Sequence, residues 1–204
     1  MPNIVRAAAS LTAALVFAAC SSGSTAPASS PAAASVVTTA SPVASAVSAV
    51  PTKFTSKSYG LSLTLPVGWT ATAATEVWDG KSAPFFGAEV NDRFGGPTAA
   101  SAATAAAPTT RDLAGYAIDR IAANAKEHSD TCPPVPNVKD PIKIGSEPGT
   151  FMAYDCGILI NVAVAVHNGK GYVFGFRDPA VHAATDPTDR AAFLELLQSV
   201  QFPD

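Results

Sequence analysis

Asn168-Gly169 separates two runs of β-forming residues, 158–167 and 170–177. Both turn positions can adopt positive φ, so the pair specifies a two-residue β-hairpin and with it a register. His167 falls opposite Lys170, Ala165 opposite Tyr172, Ala163 opposite Phe174 and Asn161 opposite Phe176. On this face small residues lie across from large aromatics. The other face carries Ile160, Val162, Val164 and Val166, with Val173 and Gly175 across from them. A slip of one residue would exchange the faces and lose the matching of small with large. Both faces are largely apolar, so the sheet must be covered on both sides, in part by helices.

The periodicity supplies two such helices. Over 112–126, Leu113, Ala117, Ile121 and Ala125 form one stripe, with Ala114, Ile118 and Ala122 beside it. Thr110 is the expected N-cap, and Asp112 favours the first turn. Over 187–199, Asp186 is the expected cap, Pro187 suits the first helical position, and Asp189 adds negative charge to the first turn. Phe193, Leu196, Leu197 and Val200 give the buried stripe. Residues 59–66 alternate as a strand, with Leu61, Leu63 and Leu65 on one face. Further strands are expected over 85–94, 142–144 and 150–156, with a stub at Gln201-Phe202. The alanine-rich stretch 99–109 reads as a mobile loop, and Pro133, Pro134 and Pro136 forbid regular structure.

Upstream of residue 53 the chain has a different character. Arg6, the apolar run 7–17 and the small residues before Cys20 make the three parts of a secretory signal. Phe17-Ala18-Ala19-Cys20 resembles the lipoprotein box, with Phe17 where leucine is commonest. On this reading residues 1–19 are a signal peptide and Cys20 carries thioether-linked diacylglycerol, anchoring the chain to the outer face of the cell membrane. The alternative is a secreted protein cleaved after Ala18 or Ala19, with Cys20 incidental. Residues 20–52 then form a Ser/Ala/Thr/Pro tether that cannot bury enough surface to offset its ordering entropy. Its mean reach is roughly 30 Å. Residues 53–204 are the folded domain. Its two cysteines, Cys132 and Cys156, are expected to form a disulfide in an exported protein. A redox pair is the rival, but no Cys-x-x-Cys is present.

Charged residues make up 14% of the chain and net charge is −3, so nothing resembles a nucleic-acid footprint. His128 is expected at a helix C-terminus, His167 at an exposed position beside the hairpin turn, and His182 in a loop. None has metal-ligand spacing, so no metal or other cofactor is expected. No nucleophile elbow or phosphate-binding loop is present. Glu89 with Asp92, and Asp186 with Asp189, read as a strand end and a helix cap. Trp69, Phe85, Phe86, Tyr116 and Tyr172 are expected in the core. Trp78, in Trp78-Asp79-Gly80, falls in an expected turn and is the candidate exposed contact residue. No catalytic residue is assigned.

The run Tyr59-Gly60-Leu61-Ser62-Leu63-Thr64-Leu65-Pro66-Val67-Gly68-Trp69 resembles the opening of PsbP-like domains, where an aromatic-Gly strand runs into Pro-x-Gly-Trp. Gly145-x-x-x-Gly149, Tyr172-Val173-Phe174 and the terminal Ser-Val-Gln-Phe also fit. The cysteine pair and the tether look most like the LpqN-type lipoproteins of actinobacteria. The resemblance implies an α+β fold, an α/β/α sandwich around an antiparallel sheet, and no catalytic constellation. The resulting expectation is a lipid-anchored, non-enzymatic binding or assembly module of the cell envelope. Its partners would be the membrane, through Cys20, and an envelope protein or ligand that the sequence does not identify. Two alternatives remain: a carrier of a small hydrophobic ligand between sheet and helix, and an envelope hydrolase built on His167 or His182.

Overall fold

The hairpin forms as its turn dictates. In the computed structural model, β8 (Leu159–His167) and β9 (Lys170–Asp178) pair antiparallel, with His167 opposite Lys170, Ala165 opposite Tyr172, Ala163 opposite Phe174 and Asn161 opposite Phe176. Asn168 and Gly169 take φ of 48° and 72°, as the two-residue turn requires. The structure describes residues 50–84, 89–96, 99–128, 130–179 and 187–204, excepting the side chains of 187–190 and 192. The signal segment, Cys20, the tether up to residue 49, Phe85, Phe86, His182, Asp186 and the side chain of Asp189 lie outside the described residues.

Around the hairpin a seven-stranded antiparallel sheet assembles. Its members are β3 (Thr70–Thr72), β4 (Asp92–Gly95), β5 (Ser101–Pro108), β6 (Val138–Ile144), β7 (Glu147–Asp155), β8 and β9, in the order β3-β4-β5-β9-β8-β7-β6. A separate two-stranded sheet joins β1 (Thr52–Thr55) to β2 (Ser62–Leu65). Helix α1 (Leu113–Glu127) covers β7 and β8 on one face. The other face is covered by α2 (Pro187–Gln198) and the β1–β2 pair, with Phe193 of α2 against Phe151 and Phe176, and Phe54 against Phe94. This is the α+β, α/β/α arrangement that two apolar faces demand.

Several local expectations are corrected. Residues 101–108 are not a loop but β5, an interior strand that pairs with both β4 and β9. Its small side chains continue the matching seen in the hairpin: Ala102, Thr104 and Ala106 lie opposite Phe176, Phe174 and Tyr172. Alanine has weak β propensity, so the strand is specified by these aromatics and not by its own composition. The strand expected over 85–94 is, among the described residues, only Asp92–Gly95. β3 was not expected at all. β6 and β7 each extend several residues beyond their expected starts, and β1 already begins at Thr52, the last residue assigned to the tether.

β6 is an edge strand. Lys139, Pro141 and Lys143 are its exposed positions, and proline is tolerated in a sheet at such an edge. The C-terminal stub is one bridge, in which the amides and carbonyls of Ser62 and Gln201 bond reciprocally at 2.9 and 2.7 Å.

The cap of α1 is Asp112, whose Oδ1 accepts from the Gly115 amide at 2.8 Å, and not Thr110. The buried stripe of α1 also differs. It runs through Leu113, Tyr116, Ala117, Ile121 and Asn124, whereas Ile118 is 60% exposed. Tyr116 lies so close over Gly171 that a Cβ there would come within 2.3 Å of its ring, which sets the rotation of the helix. The stripe of α2 is as expected, with Phe193, Leu196, Leu197 and Val200 all buried.

Candidate functional site: a basic trough on the helix α1 face

Trp78 does not provide an exposed contact. It is 2% exposed, its amide donates to the Tyr59 hydroxyl at 3.2 Å, and its indole donates to Ser82 Oγ at 3.4 Å. Arg120 of α1 holds it there. The guanidinium lies 5.1 Å from the Trp78 ring and 5.4 Å from the Tyr116 ring, and donates to the carbonyls of Gly80 at 2.9 Å and Ser82 at 3.2 Å. A cation between two rings that donates to two carbonyls pins the turn to the helix. Trp78 is therefore core although Asp79, Lys81 and Ser82 around it are exposed, and the arginine that holds the turn comes from 40 positions away.

His167 is half-buried where exposure was expected. Its Nδ1 lies 3.1 Å from Glu147 Oε1 and its Nε2 2.9 Å from the Pro203 carbonyl oxygen, with the ring stacked on Phe202. It clamps the C-terminal residues to the hairpin. His128 is at the C-terminus of α1, as expected. Among the described residues no group of three His, Cys, Asp or Glu side chains is placed to hold a metal. Trp69 is half-buried against Phe176, and Tyr116 and Tyr172 are buried, so these aromatics are core. The sulfurs of Cys132 and Cys156 are 2.10 Å apart, bridging the loop after α1 to the end of β7.

Buried titratable groups lie mostly in the interior. Desolvation raises the Asp92 carboxyl above the ordinary carboxylate range, partly offset by hydrogen bonds from Ser56 and the Ala74 amide. Burial likewise pushes the Tyr154 hydroxyl up to about 12. Asp92 supports the fold, since its Oδ1 accepts from the Ala74 amide at 2.8 Å and fixes the segment leading to Trp78.

An open concavity lies on the α1 face of the sheet, beyond the strands β7 and β8 that α1 covers. It has a volume of about 320 Å³, within the range of small-molecule sites. Strand alternation and register explain it. Thr70, Gly95, Ser101, Arg177 and Ile160 stand opposite one another in sequence across β3, β4, β5, β9 and β8; Thr72, Arg93, Ala103 and Gly175 form the next row. The floor is made of small residues and the walls of threonines, arginines and Ile160. A second concavity of about 200 Å³ shares Ile160 and Arg177 with the first and continues towards Asn124, His128 and the disulfide. By contrast, where Arg120 and Ala123 of α1 face Met152, Val162 and Val173 of the sheet, only about 10 Å³ is open.

The basic side chains lining both arms are Arg93, Arg177 and the His128 imidazole, with no carboxylate among them, although the chain as a whole carries −3. Sequence reasoning missed Arg93, Asn124 and Arg177 as site residues. The hairpin register contained a signal for Arg177, since it sets an arginine opposite Ile160 on an otherwise aliphatic face.

No protein-family model matches the chain, and no curated protein matches it. Solved structures do. The solution structure of cyanobacterial PsbP (CyanoP) from Synechocystis sp. PCC 6803 aligns with a TM-score of 0.55 at 8% identity, covering 80% of this chain and 98% of that one. A crystal structure from Bacteroides thetaiotaomicron aligns with a TM-score of 0.42 at 16% identity, over 74% of this chain and 48% of that one. At such identities the likeness concerns the fold, which is PsbP-like.

Proposed function

We propose that this protein is a lipid-anchored, extracytoplasmic binding module of the cell envelope, without catalysis, whose working surface is the trough on the α1 face. The observation that carries the reading is the trough itself, an open concavity of about 320 Å³ floored by small residues and lined by polar and basic ones. The close packing of the middle of α1 on Met152, Val162 and Val173 speaks against a carrier that encloses a hydrophobic ligand beneath it. A hydrolase built on His167 is disfavoured because its two nitrogens face Glu147 and a backbone carbonyl.

Anchoring rests on Phe17-Ala18-Ala19-Cys20 and on the uncharged tether behind it. The Cys132–Cys156 bridge is consistent with an oxidising compartment. Together with the tether it favours kinship with the LpqN-type lipoproteins within the PsbP-like group. Two acyl chains would hold the protein stably at a membrane, where one would not.

Mass spectrometry of the mature N-terminus tests the anchor: an acylated Cys20 is expected, and an unmodified terminus would refute it. The working surface is tested by a photocrosslinking residue at Thr72 in the full chain, expressed in its native host. A discrete adduct is expected that is missing from the same residue placed at Lys143 on the far edge. Equal labelling at both positions would overturn the assignment.

A further inference from the structure

We infer that the trough takes a small ligand bearing a carboxylate or phosphate group. This deepens the reading above and rests on the trough being the working surface. The first ground is charge. Arg93 on β4 and Arg177 on β9 lie on the same face with β5 between them, two strand spacings of ~4.8 Å apart and offset by two residues along the strands, about 12 Å between their backbones. Side chains of arginine length can converge across that gap on one anion, and guanidinium is the group best suited to planar oxyanions. Arg93 is exposed, and among the described residues no carboxylate pairs with it. Arg177 is half-buried and also held within the fold, so it contributes a positioned charge.

The second ground is independent of charge. Asn124 is 6% exposed and lines the second arm, and its Nδ2 has no hydrogen-bond partner among the described residues. A buried amide donor left without an acceptor costs free energy that a ligand oxygen would recover. Arg93, Arg177, His128 and Asn124 therefore present donors along the length of the trough. Ile160, shared by both arms, supplies apolar contact between them. The fitting ligand is elongated, with an oxyanion at the arginine end and a further acceptor towards Asn124.

The oxyanion could belong to a free metabolite or to a lipid headgroup, and the test separates these sources. The full mature chain carrying Cys20→Ser would be titrated with inorganic phosphate, and separately with phosphatidylglycerol and phosphatidylcholine vesicles. Amide and arginine side-chain NMR shifts and vesicle co-sedimentation would be read. Saturable phosphate shifts confined to the trough, weakened about tenfold by Arg93→Gln, are the result expected for a soluble anion. Co-sedimentation with phosphatidylglycerol alone, lost in Arg93→Gln, assigns the anion to a headgroup. Arg93 is exposed, so its substitution spares the fold, and Arg111→Gln, just before α1 and paired with Asp119 outside the trough, should leave both signals unchanged. Shifts scattered outside the trough, an unaffected Arg93→Gln variant, or no response to either probe would overturn the inference. Should the Thr72 crosslink succeed while both anion probes fail, the binding surface stands and the anionic ligand falls.

Discussion

Asp92 shows how one side chain carries information about solution conditions. It is fully buried, it accepts from the Ala74 amide, and burial raises its carboxyl above the ordinary value. A raised carboxyl binds its proton more tightly in the folded than in the unfolded chain. The folded state therefore gains relative stability as pH falls through the raised value towards the unfolded value near 4, and loses it as pH rises. Asp92→Asn keeps the acceptor for Ala74 and removes the charge. Denaturant titrations across pH 4–7 should show wild type gaining on the variant as pH is lowered. A difference independent of pH would remove Asp92 as the cause. Neither its burial nor that of Trp78 could be read from adjacent residues. Both depend on partners brought in by the fold: Arg120 and Tyr59 for Trp78, Ser56 and Ala74 for Asp92.

At the scale of elements, legibility followed the strength of local chemistry. The β8–β9 register was readable because Asn168-Gly169 admits few turns and because only one register sets alanines against Tyr172 and Phe174. The last helix was readable from its apolar spacing. β5 was not, because alanine carries neither β propensity nor a periodic signal, and its place is dictated by β4 and β9 on either side. Ala106 is 4% exposed and faces Tyr172. Ala106→Leu should destabilise by about 1–3 kcal/mol through overpacking. Were residues 101–108 a loop, the change would stay within ~0.5 kcal/mol. Chemical denaturation distinguishes the two. The trough was illegible for a related reason: its lining comes one or two residues at a time from β3, β4, β5, β8 and β9, and no contiguous motif records it.

For the whole molecule, the disulfide is the one covalent tie between distant parts of the domain. It joins residues 24 apart, holding the loop after α1 against the end of β7 and forming the far wall of the trough. Replacing both cysteines by serine should cost about 3 kcal/mol if the bridge acts through the entropy of the unfolded chain. For a domain of this size that lowers the melting temperature by roughly 10 °C. Calorimetry with and without reductant would check it, and a shift below a few degrees would assign the bridge a local role only.

The outer edge of the sheet has a consequence for how such molecules live side by side. An open sheet ends in strands that could template another chain. β6 presents Lys139, Pro141 and Lys143 outward, and a neighbour laid against it would meet like charges and a residue with no amide hydrogen. Proteins tethered to one surface meet each other far more often than proteins in solution. A blunted edge of this kind disfavours the runaway strand addition that leads to fibrils, and on the anchoring proposed above it would do so where crowding is greatest.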